Sequence, residues 1–155
     1  MPVVEPAEMK AALAPRARLL GLDLGTKTIG LAVSDSAFLV ASPVETLKRT
    51  KFTADAERLL AVIAEKEVGG LVLGLPRNMD GSEGPRAQST RAFAQNMTGK
   101  TDLPIAFWDE RLSTAEAERV LVDQADMTRK RRGEVIDKMA AAIILQNFLD
   151  FIRRT

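Results

Sequence analysis

Apolar and polar positions fall into blocks with clear periods. Arg18–Leu24 and Lys27–Ser34 are two apolar, β-rich runs on either side of Gly25 and Thr26, a pattern that predicts antiparallel neighbours. Leu39–Leu47 predicts a third strand, and Pro43 places it at an edge or an irregular position. Thr53–Glu67 has helical spacing, with Thr53 as a cap and Leu59, Leu60, Val62 and Ile63 as the apolar face. Gly69-Gly70 ends it. The run Gly70–Gly74 (GLVLG) is apolar at every position, as a strand buried on both faces must be. Gly84-Pro85 opens the next helix, to about Met97, with proline suited to the first turn.

Leu103–Trp108 predicts another buried strand, ending in Asp109-Glu110-Arg111. Ser113 or Thr114 caps a helix to about Asp123. The basic, glycine-containing stretch Thr128–Gly133 reads as a loop, and Glu134–Arg154 as a long final helix. Residues 1–17, with Pro2, Pro6 and Pro15, read as an N-terminal extension carrying one short helix from Ala7 to Leu13. The order predicts one α/β domain over residues 18–155. Its mixed sheet has three antiparallel strands followed by parallel ones, flanked by helices.

Composition narrows the chemistry more than the charge does. With 22 Lys+Arg against 21 Asp+Glu in 155 residues, any nucleic-acid argument must rest on local clusters. The chain has no Cys, His or Tyr. Disulfides, thiolate metal sites and imidazole catalysis are therefore excluded. Catalysis must run on carboxylates, Lys, Arg, Ser/Thr and hard metal ions held by oxygen. The longest apolar run, Met139–Leu145, is far short of the roughly 18 residues of a membrane helix. The start of the chain has no signal-peptide pattern, so the cytoplasm is the expected location.

Three carboxylates stand apart. Asp23 lies inside the first strand, between leucines, where a bare carboxylate costs several kcal/mol to bury without a partner. It must face a cleft, a cation or a hydrogen-bond donor, and the amides of the Gly25-Thr26 turn are one such donor set. Glu110 follows the Leu103–Trp108 strand, at the end of an α/β sheet where ligands bind. Of it and Asp109, only one can enter a given site. A helix-entry loop with a Glu110–Arg111 pair is the structural alternative. Asp137 starts a helical face continued by Ala140, Ala141 and Ile144, small and apolar, where a charge is unexpected unless the helix dipole alone favours it. Converging, the three can hold two Mg²⁺ or Mn²⁺ ions about 4 Å apart, a pair that activates water and stabilises the leaving oxygen of a phosphodiester.

Basic residues suggest where nucleic acid binds. Arg129-Lys130-Arg131-Arg132 is the densest cluster and directly precedes the helix bearing Asp137. Lys27, Asn78, Arg86 and Arg111 are further substrate-contact candidates, each with a structural alternative in loop stabilisation or an ion pair. Trp108 reads as core rather than as a stacking platform.

Four segments, in order, carry a family resemblance: GLDLGTKTIGLAVSD, LVLGLPRNMDGSEGPRAQSTRAFA, DERLSTAEAE and RRGEVIDKMAAAIILQNFLD. Together they span about residues 18–151 and resemble the YqgF family, also called RuvX. Its members are described as Holliday junction resolvases and as pre-16S ribosomal RNA nucleases. The resemblance implies a ribonuclease H-like fold and metal-dependent phosphodiester cleavage. By motif, Asp23, Glu110 and Asp137 are the implied catalytic and metal-binding acids, with Asp23 bridging two ions and the others holding one each. Thr28 stands where many members carry a basic residue.

On this resemblance the expected substrate is the 5′ end of the 16S rRNA precursor, in ribosome biogenesis. A branched-DNA resolvase, which requires a two-fold dimer, is one alternative, and a non-catalytic RNA-binding module is another. The expected assembly is a monomer or a homodimer, with no membrane partner. The Asp23-Leu24-Gly25-Thr26 hairpin also fits ATP-using enzymes of the actin and sugar kinase type, but a chain of 155 residues has no room for their second domain.

Overall fold

The computed structural model describes residues 3–109 and 129–154, with side chains for 3–109 and 138–154. Five strands form one sheet: β1 (Arg18–Leu24), β2 (Thr28–Ser34), β3 (Ala41–Lys48), β4 (Val68–Leu75) and β5 (Ile105–Asp109). Their order is β3-β2-β1-β4-β5. β1 pairs with β2 and β2 with β3 antiparallel, while β4 runs parallel to both β1 and β5. The expected mixed sheet is thus the observed one.

Local sequence explains each strand's place. β4 is buried at seven of its eight positions, in keeping with its apolar composition and its place inside the sheet. β3 lies at the edge, and the register shifts there between Leu31 and Ala32, which face Glu45 and Pro43. Proline, which has no amide to donate, is accommodated at this irregularity. β3 begins at Ala41 rather than Leu39: Leu39 and Val40 are exposed in the turn, whose amides bond to the Asp35 carboxylate.

Helices cover both faces. α2 (Phe52–Glu65) and α3 (Pro85–Met97) pack on one face over Leu20, Leu22, Leu24, Leu71 and Leu73. α4 (Arg129–Arg154) lies on the other, where Ala141, Ile144, Leu145 and Phe148 meet Leu19, Ala32 and Val72. Thr53 does not cap α2. Lys51 holds the N-cap position, because Phe52 stacks edge-on against Phe93 at 5.4 Å and draws the start of the helix inward. Residues Arg129–Gly133, read as a loop, belong to α4. Arg and Lys are good helix formers, and one interior glycine costs only about 1 kcal/mol, which a packed 26-residue helix absorbs.

The N-terminal segment joins the same core. Pro6–Glu8 form a 3₁₀ turn and Met9–Ala12 a short helix α1, in place of one helix over Ala7–Leu13. Met9 is fully buried in the α4-side cluster, and the Val4 amide donates to the Ile105 carbonyl at 2.8 Å.

Candidate nuclease site

The first strand fixes the position of Asp23. Gly21, two residues earlier, shares its face of the sheet. α4 crosses β1 closely at that glycine, and a Cβ there would lie 2.8 Å from the Leu145 Cβ and 3.1 Å from the Ala141 carbonyl. A larger residue at 21 would therefore push the helix off the strand.

The direction of α4 follows from Gln146. Its side chain accepts from the Ala41 amide and donates to the Leu39 carbonyl, and Ala41 pairs with Ser34. Ser34 Oγ in turn accepts the Leu19 amide, so position 146 lies at the Leu19 end of β1. α4 thus runs opposite to β1, and its earlier residues lie toward Asp23. Position 137 is four residues before Ala141, about 6 Å along the helix axis. Asp23 is two residues beyond Gly21, about 6.7 Å along the strand. From the crossing at Gly21, the end of β1 and the start of α4 therefore lie toward the same edge of the sheet.

The neighbouring strands leave room around Asp23. It pairs with Gly30 on β2. On β4, Leu73 pairs with Leu22, so the next residue, Gly74, lies beside Asp23. Glycine therefore flanks it on both sides within the sheet, and Asp23 is half-buried rather than enclosed.

β5 ends at the same edge, and Trp108 pairs with Gly74. Trp108 is half-buried and packs against the α4-side core, with ring centroids 5.6 Å from Phe148 and 5.3 Å from Phe151. The chain leaves β5 after Asp109, two strand spacings or roughly 10 Å from β1. Glu110, Arg111 and the expected helix over 113–123 lie outside the described residues, as do the side chains of Asp137 and of Arg129, Lys130, Arg131 and Arg132. Asp23, Glu110 and Asp137 offer only carboxylate oxygens, a set that fits Mg²⁺ or Mn²⁺ and not softer ions.

The remaining sequence candidates divide. Lys27 is exposed in the β1–β2 turn. Asn78 builds its own loop: its amide donates to the Ser82 carbonyl at 2.8 Å and its side chain to Ser82 Oγ at 3.0 Å. Arg86, in the first turn of α3, donates to the Leu24 carbonyl at 3.2 Å and so reaches the residue after Asp23.

Arg49 has no counterpart among the sequence candidates. Its Nη1 donates to the Gly25 carbonyl at 2.6 Å, across 24 residues of sequence. The segment bearing it is pinned by a buried acid. Asp55 accepts from the Thr50 amide at 3.0 Å, the Thr50 hydroxyl at 3.1 Å and the Arg58 guanidinium. Arg58 also donates to the Lys48 carbonyl at 2.6 Å. Burial opposes ionisation of Asp55, but the bonds from Thr50 and Arg58 outweigh it and hold its carboxyl below the usual aspartate value. The only sequence signal for Arg49 was a basic pair, Lys48-Arg49, closing a strand, and that pattern is common on surfaces.

Comparison with known proteins agrees with this architecture. The family model described as "RuvX: Holliday junction resolvase" matches residues 17–151. A protein of Paramagnetospirillum magneticum is 61% identical over 150 residues, covering 97% of this chain and 96% of its own. One from Roseobacter denitrificans is 64% identical over 149 residues, covering 95% and 91%. Both carry the name "Putative pre-16S rRNA nuclease". Among solved structures, T. thermophilus RuvC in complex with a Holliday junction substrate superposes with a TM-score of 0.55 at 14% identity, covering 88% of this chain and 96% of that one. The yeast mitochondrial Holliday junction resolvase Ydc2 gives 0.54 at 11% identity, covering 96% and 85%. These two show the fold, which is ribonuclease H-like. The family match over most of the sequence and the identity of the relatives settle the affiliation: the chain belongs to the RuvX family of nucleases.

Proposed function

We propose that this protein is a metal-dependent endonuclease that hydrolyses phosphodiester bonds at the 5′ end of the 16S rRNA precursor. The observation that carries the proposal is the placement of Asp23. It sits between Gly30 and Gly74, with the helix bearing Asp137 crossing at Gly21 and its earlier residues lying toward Asp23. The choice of ribosomal RNA rests on the name shared by the relatives above 60% identity.

In this reading Asp23, Glu110 and Asp137 hold two divalent ions, Mg²⁺ or Mn²⁺. When bound, such ions supply water activation and charge stabilisation at the leaving oxygen. The chain's own residues do the rest. The glycines beside Asp23 keep side chains out of the space a phosphodiester must enter. Lys27, Arg86 and the Arg129–Arg132 cluster neutralise phosphate charge and hold the strand in register. With no histidine in the chain, no imidazole takes part in proton transfer.

The test incubates the protein in Mg²⁺ or Mn²⁺ with an RNA spanning the 5′ precursor end of 16S rRNA, beside a DNA four-way junction. Cleavage of the RNA and not of the junction is the expected result. Symmetric nicking of the junction alone contradicts the substrate assignment and requires a two-fold dimer. Cleavage of neither contradicts the nuclease assignment.

A further inference from the structure

A groove of about 480 Å³ opens beside the end of β1, on the sheet face opposite α4. It starts at Leu24, the residue after Asp23, and its polar lining comes from Thr26, Arg49, Thr50, Arg86, Ser89 and Thr90. Among the described residues, no carboxylate lines it. Arginines elsewhere on this side are matched to acids: Arg58 to Asp55, and both Arg77 and Arg91 to Glu83. Among the described residues, Arg49 and Arg86 form no ion pair. Each donates to one backbone carbonyl, of Gly25 and Leu24 respectively, which leaves most of its five N–H groups for a ligand. Arg49 is also steadied by the Phe93 ring, 6.0 Å from its guanidinium carbon, and by the Asp55 clasp on Thr50.

We infer that this groove is a phosphate subsite, in which Arg49 and Arg86 grip a backbone phosphate of the same nucleic-acid strand that is presented to Asp23. The inference rests on the nuclease reading above and adds to it a second point of attachment, from elements that carry none of the proposed metal ligands. Two guanidiniums and the exposed hydroxyls of Thr26 and Ser89 form a donor set for phosphate oxygens. Both arginines hold the carbonyls of the turn that follows Asp23, so a strand gripped there is fixed relative to that residue.

The test uses the full chain, Arg49→Ala, Arg86→Ala and the charge-keeping Arg49→Lys, with unfolding curves run on each. Binding to single-stranded RNA oligonucleotides is measured without divalent metal, as a function of salt. In the parent, one methylphosphonate linkage at the gripped position weakens binding several-fold. The alanine variants show the same loss with unmodified RNA and are insensitive to methylphosphonate at that position. The slope of log K against log salt falls by about 0.7 for each phosphate contact removed. Arg49→Lys keeps the slope and loses part of the affinity. If the alanine variants fold and bind like the parent while the parent cleaves RNA, the groove assignment is wrong and the nuclease assignment stands. If the parent neither binds nor cleaves RNA, both are wrong.

Discussion

Gly21 and Leu145 set the separation of β1 and α4: a methyl group on the glycine would stand 2.8 Å from the Leu145 Cβ. Both are backbone-proximal atoms, and neither can swing aside. Gly21→Ala is therefore expected to destabilise the protein by about 1–3 kcal/mol, the usual cost of overpacking a filled core. It is also expected to lower nuclease activity beyond any loss of folded protein, because α4 shifts and carries position 137 with it. Urea unfolding measures the first effect and cleavage per folded molecule the second. An unchanged midpoint contradicts the close crossing.

Met9 tests whether the N-terminal segment is an appendage or part of the fold. Read from sequence, residues 1–17 are an extension outside the nuclease domain, and the family match also begins at residue 17. Yet Met9 is completely buried among α4 residues. Met9→Ala is expected to cost about 2–5 kcal/mol, as for other buried large-to-small substitutions. A loss below 0.5 kcal/mol, typical of surface sites, in the unfolding midpoint contradicts that packing.

Asp55 gives a pH-dependent prediction. Its folded-state pKa is lowered, so as pH falls the unfolded chain takes up the proton first. The stabilisation is fully present above the unfolded aspartate value, about 3.9, and is lost as pH drops through the lower folded value. Asp55→Asn is expected to cost about 1–3 kcal/mol at pH 7, from a buried acceptor lost to Thr50 and Arg58. The gap between parent and variant should shrink below about pH 4. A gap that is constant with pH contradicts an ionised Asp55 in the fold.

The sheet was legible because its signals are local. GLVLG is apolar throughout and became the interior strand β4, while Pro43 marked the edge strand with its register shift. The helix limits were less so. Thr53 is a good cap in isolation, but the Phe52–Phe93 contact, across 41 residues, decided where α2 begins. Arg129–Gly133 reads as a loop by its charge and glycine, but arginine and lysine are good helix formers and the segment continues α4. Among the candidate site residues, Asp23 stands out in the sequence because a carboxylate in an apolar strand is costly. Arg49 does not, because its partner, Gly25, lies on another strand end and nothing near Arg49 in sequence announces it.

In the proposed function, Asp23 serves chemistry and not folding. The most direct measurement compares the parent with Asp23→Asn for cleavage of the 16S precursor RNA in Mn²⁺ and in Mg²⁺, alongside urea unfolding of both. Cleavage is expected to be lost in the variant while its stability equals or exceeds the parent's, because the substitution removes a charge from the proposed group of carboxylates. A variant that unfolds, or one that folds and still cleaves, contradicts it.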